Sequence, residues 1–218
     1  MGRRSQHKPD ELRSLIIDAA HRLATDGGVT QLSAREIARL IGYAPGTLYN
    51  MYENLDEILL RVEVRILEHL DAQLGQELSD ATGAEAIRKL AASYVAFAHK
   101  QPRLWSLLTE HGLPPGTTPP TWYREALEAP IARFEKPVAA VLRSNDAKLI
   151  RQSARMLWCA IHGMTSMSVN AKLGWTDEDD AASQVNDVVD ACLKQLAIRT
   201  PKRSSAQHGL EEPTAAPR

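Results

Sequence analysis

The chain has 218 residues, 44% hydrophobic and 24% charged, with a formal net charge of −1. That composition excludes a disordered or fibrous polymer and leaves room for a small domain joined to a larger one. Two cysteines, Cys159 and Cys192, exclude a disulfide framework and suit a reducing cytoplasm. No basic-then-apolar leader opens the sequence and no apolar run approaches the ~18–20 residues of a membrane span, so a cytoplasmic protein with no membrane partner is expected. Residues 1–54 carry seven Lys/Arg against six Asp/Glu, and residues 55–198 carry fifteen against nineteen. Arg3, Arg4 and Lys8 form a basic arm with no acid among them. Such an arm fits a segment lying near a phosphate backbone, and equally a solvated tail.

In chain order, helix one shows Leu12, Leu15, Ile16, Ala19, Ala20 and Leu23 at helical spacing and stops at Gly27-Gly28. Ser33 and Glu36 then form a capping box: the Ser33 hydroxyl accepts from the Glu36 N–H, and the Glu36 carboxylate reaches back to the Ser33 N–H. Ile37, Leu40 and Ile41 give helix two its apolar face, and Gly42 ends it. Pro45 suits the first turn of helix three, expected over 44–52. Asn54 with Glu57 opens helix four, whose stripe of Leu55, Leu59, Val62, Ile66, Leu70 and Leu74 runs to about residue 79. Gly83 breaks the chain before helix five (Ile87, Leu90, Ala91, Tyr94, Phe97), and Pro102 starts a short helix six with Leu104, Trp105, Leu107 and Leu108. Residues 112–120 are a Gly- and Pro-rich loop. Helix seven carries Tyr123, Leu127, Ile131, Phe134, Val138 and Val141, and Pro130 and Pro137 predict a kink or break in it. Helix eight holds Leu149, Ile150, Met156, Leu157, Ala160, Ile161 and Met164; helix nine, capped by Asp177, holds Val185, Val188, Val189, Cys192 and Leu196. No alternating strand pattern competes. The tail 199–218 is rich in Pro, Ser, Ala and charge and is expected to be disordered.

Two short helices about a glycine turn make a helix-turn-helix, whose second helix reads the DNA major groove. Helical hairpins of this kind also occur in proteins that never touch nucleic acid. The residue string is more specific. Arg35, Ile37, Ala38, Gly42, Gly46, Thr47, Leu48, Tyr49, Leu59 and Leu60 stand where the TetR/AcrR family of bacterial repressors has its N-terminal signature, and the chain resembles that family over about 50 residues. The later helices resemble it by length and layout, with a short W-x-x-x-H-G string from Trp158 to Gly163 as in one branch of the family. Met51 and Tyr52 replace the usual aromatic pair closing the reading helix, and Glu53 and Leu55 stand where the family commonly has lysines. Fewer phosphate contacts and a weaker salt dependence follow.

The resemblance implies an all-α fold of about nine helices. A three-helix DNA-binding head (1–54) with its basic arm would precede a larger helical body (55–198) that binds a small-molecule effector and dimerises through helices eight and nine. Ala44, Pro45, Thr47 and Asn50 would face base edges, with Gly46 also among the DNA-binding residues. Arg35, with its bidentate fork, is the candidate for a guanine contact. Ser33, Thr47, Tyr49 and Tyr52 would hold phosphates of a double-stranded palindromic operator. Tyr94, Phe97, Trp105, Tyr123, Phe134 and Trp158 lie on several helices and either fill a core or line a cavity; the resemblance implies an effector pocket, with His162, Ser153 or Thr165 as polar contacts.

Enzymatic constellations are weak. Cys159 and His162 share a helix face, but a zinc site needs three or four ligands, so a packed thiol beside a hydrogen-bonded histidine is expected and no metal. Glu110-His111 reads as a helix end and the acids at 177–180 as a cap, where negative charge meets the helix N-terminus. No catalytic residue and no cofactor loop is legible. The reading is a ligand-released repressor. An all-α enzyme using the body pocket and a helical interaction module without DNA stay open as alternatives.

Overall fold

A computed structural model describes residues 7–78, 81–169 and 178–198. All regular structure among them is helical. In order come α1 (Pro9–Gly27), a 3-10 turn (Val29–Gln31), α2 (Ala34–Ile41), α3 (Pro45–Leu48), α4 (Leu55–Glu77), α5 (Gly83–Lys100), α6 (Pro102–Glu110), α7 (Thr121–Ala132), α8 (Glu135–Leu142), α9 (Ala147–Val169) and α10 (Glu178–Ile198). The basic arm's Arg3 and Arg4, the Asp177 cap and the 199–218 tail lie outside the described residues.

Among the described residues ten α-helices stand in place of the expected nine, because helix seven is two helices. Pro137 has no N–H to give the carbonyl of Arg133, and its ring crowds that carbonyl, so the helix cannot run through. The chain breaks at Arg133–Phe134, and Pro137 falls in the first turn of α8, where no donor is needed. Pro130 stays inside the last turns of α7 without ending it. At this corner the Arg133 guanidinium donates two bonds of 2.7 Å to the Asp71 carboxylate of α4.

The reading helix is also shorter than expected. α3 spans four residues, and Tyr49 to Met51 continue as turns closed by Asn50 N–H to the Thr47 carbonyl (3.3 Å) and Tyr52 N–H to the Leu48 carbonyl (2.9 Å).

Packing joins the two regions. α1 packs on α2, α4 and α6; α4 continues out of the head to pack on α5 and α7; α5 is covered by α8, α9 and α10. One apolar cluster runs from Leu12, Ile16, Ile37 and Leu48 in the head, through Ile58, Ile66 and Leu74 of α4, to Leu90, Leu157 and Leu196. At about 0.8 kcal/mol per buried methylene, such continuity makes α4 a lever embedded at both ends.

Candidate nucleic-acid interface and effector-binding body

The head turns one polar face outward. At its hinge Gly42 has φ 75°, a left-handed conformation that glycine adopts without strain, and Tyr43 N–H bonds the Ala38 carbonyl at 2.9 Å. The Ser33 Oγ accepts from the Glu36 N–H at 3.2 Å, as the capping box requires. Its second half does not form. The Glu36 carboxylate instead accepts from Arg39 at 2.8 Å, because a guanidinium one turn on offers a charged donor.

Around that hinge Arg35, Ala44, Pro45, Gly46, Tyr49 and Asn50 are exposed, with Ser33 and Thr47 half-buried. Arg35 has no hydrogen-bond or ion-pair partner among the described residues. A Cβ at Gly46 would meet nothing within 4 Å, so α3 presents bare backbone to an approaching surface. These residues stand at the start of α2, along α3 and in the turn after it. Tyr52 does not belong with them. Its ring is buried in the head core, and its hydroxyl donates to the Arg13 carbonyl at 3.0 Å, so the sequence-based phosphate role is corrected to a structural one. Burial raises its pKa. Behind the face, His7 Nδ1 lies 2.7 Å from the half-buried Tyr43 hydroxyl and ties the chain start to the hinge.

The body collects most of its sequence-predicted aromatics in one place. Tyr94 (α5) stands edge-on to Trp105 (α6) at 5.1 Å and to Trp158 (α9) at 4.6 Å, and Phe134 packs on Trp158 at 6.1 Å. All four are buried, as is Phe97. The Tyr94 hydroxyl is 2.7 Å from His162 Nδ1, and burial raises the tyrosine pKa and lowers the histidine's. The histidine is hydrogen-bonded as expected. Cys159 is not a packed thiol; three residues earlier on α9, it is exposed. No group of three or more His, Cys, Asp or Glu able to hold a metal occurs among the described residues.

Three polar atoms here are buried without a hydrogen-bond partner: Trp105 Nε1, Ser153 Oγ and Thr165 Oγ1. A cavity of about 200 Å³ opens beside Trp105 between α6 and α9, lined also by Arg103, Ser106, Thr109, Ser166 and Val169. Tyr123 departs from the group. It faces α4, and its hydroxyl donates to Glu63 Oε2 at 2.6 Å. The sequence reading missed Glu63 and His111, whose Nδ1 lies 2.5 Å from Glu63 Oε1. The signal was present: Glu63 falls on the α4 apolar stripe, four residues after Leu59 and three before Ile66.

Residues 16–62 match the family model for bacterial regulatory proteins of the tetR family, and residues 87–192 match that for the tetracyclin repressor-like C-terminal domain. The chain belongs to the TetR family. It is thus a DNA-binding transcriptional regulator, of a family that is not enzymatic, with α2–α3 as its helix-turn-helix. It is 25% identical over 200 residues to an uncharacterized HTH-type transcriptional regulator of Mycobacterium tuberculosis, a match covering 90% of this chain and 87% of that one. Among solved structures it resembles FadR of Bacillus subtilis in complex with stearoyl-CoA, with a TM-score of 0.63 at 18% identity over 83% of this chain and 97% of that one. It also resembles BioQ of Mycobacterium smegmatis, with a TM-score of 0.62 at 20% identity over 88% and 99% of the two chains. At such identities the likeness to the solved structures concerns the fold.

Within the family frame, the acidic start of α4 stands out. Glu53, Asp56 and Glu57 line a cleft of about 340 Å³ with Trp122 and Pro114. No helix among the described residues is long and apolar enough to cross a membrane.

Proposed function

We propose that this regulator is a cytoplasmic repressor that binds a palindromic operator as a homodimer and leaves it when a small molecule enters the body. One observation carries the reading: exposed, unpaired Arg35, Tyr49 and Asn50 precede one end of α4 in the head, and the other end of the same helix is packed in the body's apolar core. Arg35 takes a guanine. Ala44, Pro45, Gly46, Thr47 and Asn50 approach base edges, while Ser33, Thr47 and Tyr49 hold phosphates.

Dimerisation through α9 and α10 is supported by Met156, Cys159, Gly163 and Met167, all exposed and spaced to form one stripe along α9, and by Ile198 at the end of α10. A two-fold axis pairs such a stripe with itself. The effector site is supported by the orphaned Trp105 Nε1 in the cluster of Tyr94, Phe134, Trp158 and His162, and by Ser153 Oγ and Thr165 Oγ1 on α9, since an unpaired buried polar atom costs about 1–3 kcal/mol that a ligand's polar group offsets. The ligand is an apolar planar or aliphatic molecule with a few polar atoms, a class to which the stearoyl group of the stearoyl-CoA bound by FadR of Bacillus subtilis belongs.

The test is a titration of the purified full chain against its own upstream DNA by mobility shift, with sedimentation velocity on the same sample. Saturable binding by a dimer is expected, reversed by a compound that also raises the melting temperature. A monomer, or a dimer with no preference for that DNA, refutes the reading.

A further inference from the structure

Four polar side chains meet between the head-bearing end of α4 and the body. Glu63 is 2% exposed on the inner face of α4. Its two oxygens are held from two other helices, Oε1 by His111 Nδ1 at 2.5 Å from the end of α6 and Oε2 by the Tyr123 hydroxyl at 2.6 Å from α7. The second nitrogen of His111, Nε2, lies 3.4 Å from Asp56 Oδ1 in the first turn of α4. A neutral imidazole carries one N–H, so one of its nitrogens would turn a lone pair toward a carboxylate. Both nitrogens face carboxylates, and that arrangement calls for the imidazolium.

The bridge has a consequence for DNA reading. Asp56 stands just after the Asn54 cap that begins α4, a short stretch of chain past the end of α3, while His111 and Tyr123 are anchored in the body. We propose that His111 is a positioning residue for operator reading: as an imidazolium bridging Asp56 and Glu63 it fixes the angle of α4, on which α1 of the head packs, and its deprotonation releases that angle. A head already held in place loses less freedom on binding DNA, so release of the angle weakens the operator complex.

The charges acting on His111 among the described residues are Glu63 and Asp56 of α4. The hydrogen bond from Glu63 leads the effects raising its pKa, and burial opposes them. Tyr123 of α7 acts through Glu63. Glu110, its neighbour on α6, is exposed. Arg61 of α4 is engaged with Glu57 and lies over the Trp122 ring. The 112–120 loop that follows has no titratable side chain.

The test follows operator affinity of the full chain by fluorescence anisotropy between about pH 6 and 9 at constant ionic strength, with the histidine ring signals followed by NMR over the range where His111 titrates. Wild type is expected to lose about fivefold in affinity as the His111 ring titrates, at the low end of usual coupling. His111→Gln should bind more weakly at low pH and lack that step. Asp56→Asn keeps the histidine and removes one carboxylate, so the ring midpoint and the affinity step should both move to lower pH, together; a purely structural role for His111 moves neither. Asp56 lies at the rim, so this variant also carries the test if His111→Gln does not fold. A flat wild-type profile, a step that survives in His111→Gln, or an affinity midpoint that stays put in Asp56→Asn overturns the proposal. The inference rests on the operator-binding dimer. Sedimentation of the same samples reports that dimer separately, and a monomeric wild type sinks the dimer reading whatever His111 does.

Discussion

The head and the body treat polar groups in opposite ways. In the head, Arg35 on α2 and Tyr49 and Asn50 in the turn after α3 are exposed, with Thr47 of α3 half-buried. In the body, polar groups turn inward and pair across helices: Tyr94 with His162, Gln73 with Ser93 at 2.9 Å, His99 with Ser168 at 3.0 Å, and Glu63 with both His111 and Tyr123. Operator DNA is a large partner met at a surface, so its reader keeps donors unpaired. The proposed effector is small and enclosed, and the groups that would meet it are already paired with each other or left without partners. Substitutions on the exposed face of the head should therefore move DNA affinity at little cost to stability, and those in the aromatic cluster of the body the reverse.

The largest expected effect is in the aromatic cluster. Trp158→Ala removes the ring that Tyr94 and Phe134 both pack against, and should lower stability by about 3–5 kcal/mol. Chemical denaturation measures it. A cost under about 1 kcal/mol would mean the cluster is a loose cavity wall and would weaken the contrast between the regions.

Next is the buried carboxylate. Glu63→Gln removes the charge that His111 faces and should cost about 3 kcal/mol near neutral pH, as breaking a buried pair does. The sign in pH follows from His111, whose pKa in the folded chain is raised above the ordinary 6.5. Its contribution to stability is complete below about pH 6.5 and is lost as pH rises through the folded-state value. Denaturation midpoints of wild type should therefore fall on going from about pH 6.5 to 9, and those of Glu63→Gln should fall less.

Arg35→Ala should be smaller in total and different in kind. It should weaken operator binding by about 1–3 kcal/mol and relax preference at one symmetric base position, with stability unchanged. Unchanged preference in a binding-site selection would remove the guanine assignment and make Arg35 one more phosphate contact.

The contrast also explains what could be read in advance. The helices from Leu12 to Leu74 follow from apolar spacing and from the Ser33 and Asn54 caps, whose Oγ and Oδ1 accept from Glu36 and Glu57 backbone N–H as those residue types require. The exposed face of α2 and α3 was legible because the residues that build it are neighbours in the chain. Tyr52 was misassigned because position in a motif does not say which way a ring points. Only the fold shows the Arg13 carbonyl waiting for it. The His111 bridge was hidden for another reason. Its members come from 56, 63, 111 and 123, and a histidine that ends a helix looks the same in sequence with or without two carboxylates beside it. The split of helix seven was half-legible: two prolines announced a break, and the carbonyl that Pro137 leaves unpaired decided where.

The finest test of the contrast is a pair of tyrosines in one turn of chain. Tyr49 is 50% exposed, and its hydroxyl has no partner among the described residues; Tyr52, three residues on, is 7% exposed and donates to Arg13. Each loses one oxygen on mutation to Phe, so the chemistry removed is the same and only the surroundings differ. Tyr52→Phe should lower stability by about 0.5–1.5 kcal/mol, the usual worth of an internal hydrogen bond, and leave intrinsic DNA affinity nearly intact. Tyr49→Phe should leave the denaturation midpoint unchanged and weaken binding by a similar amount to operator and unrelated DNA alike, because a phosphate contact carries no base information. Two denaturation curves and two pairs of anisotropy titrations read all four numbers. If Tyr49→Phe weakens operator binding more than it weakens binding to unrelated DNA, its hydroxyl reads a base, and the reading face extends further along the chain than α3 itself.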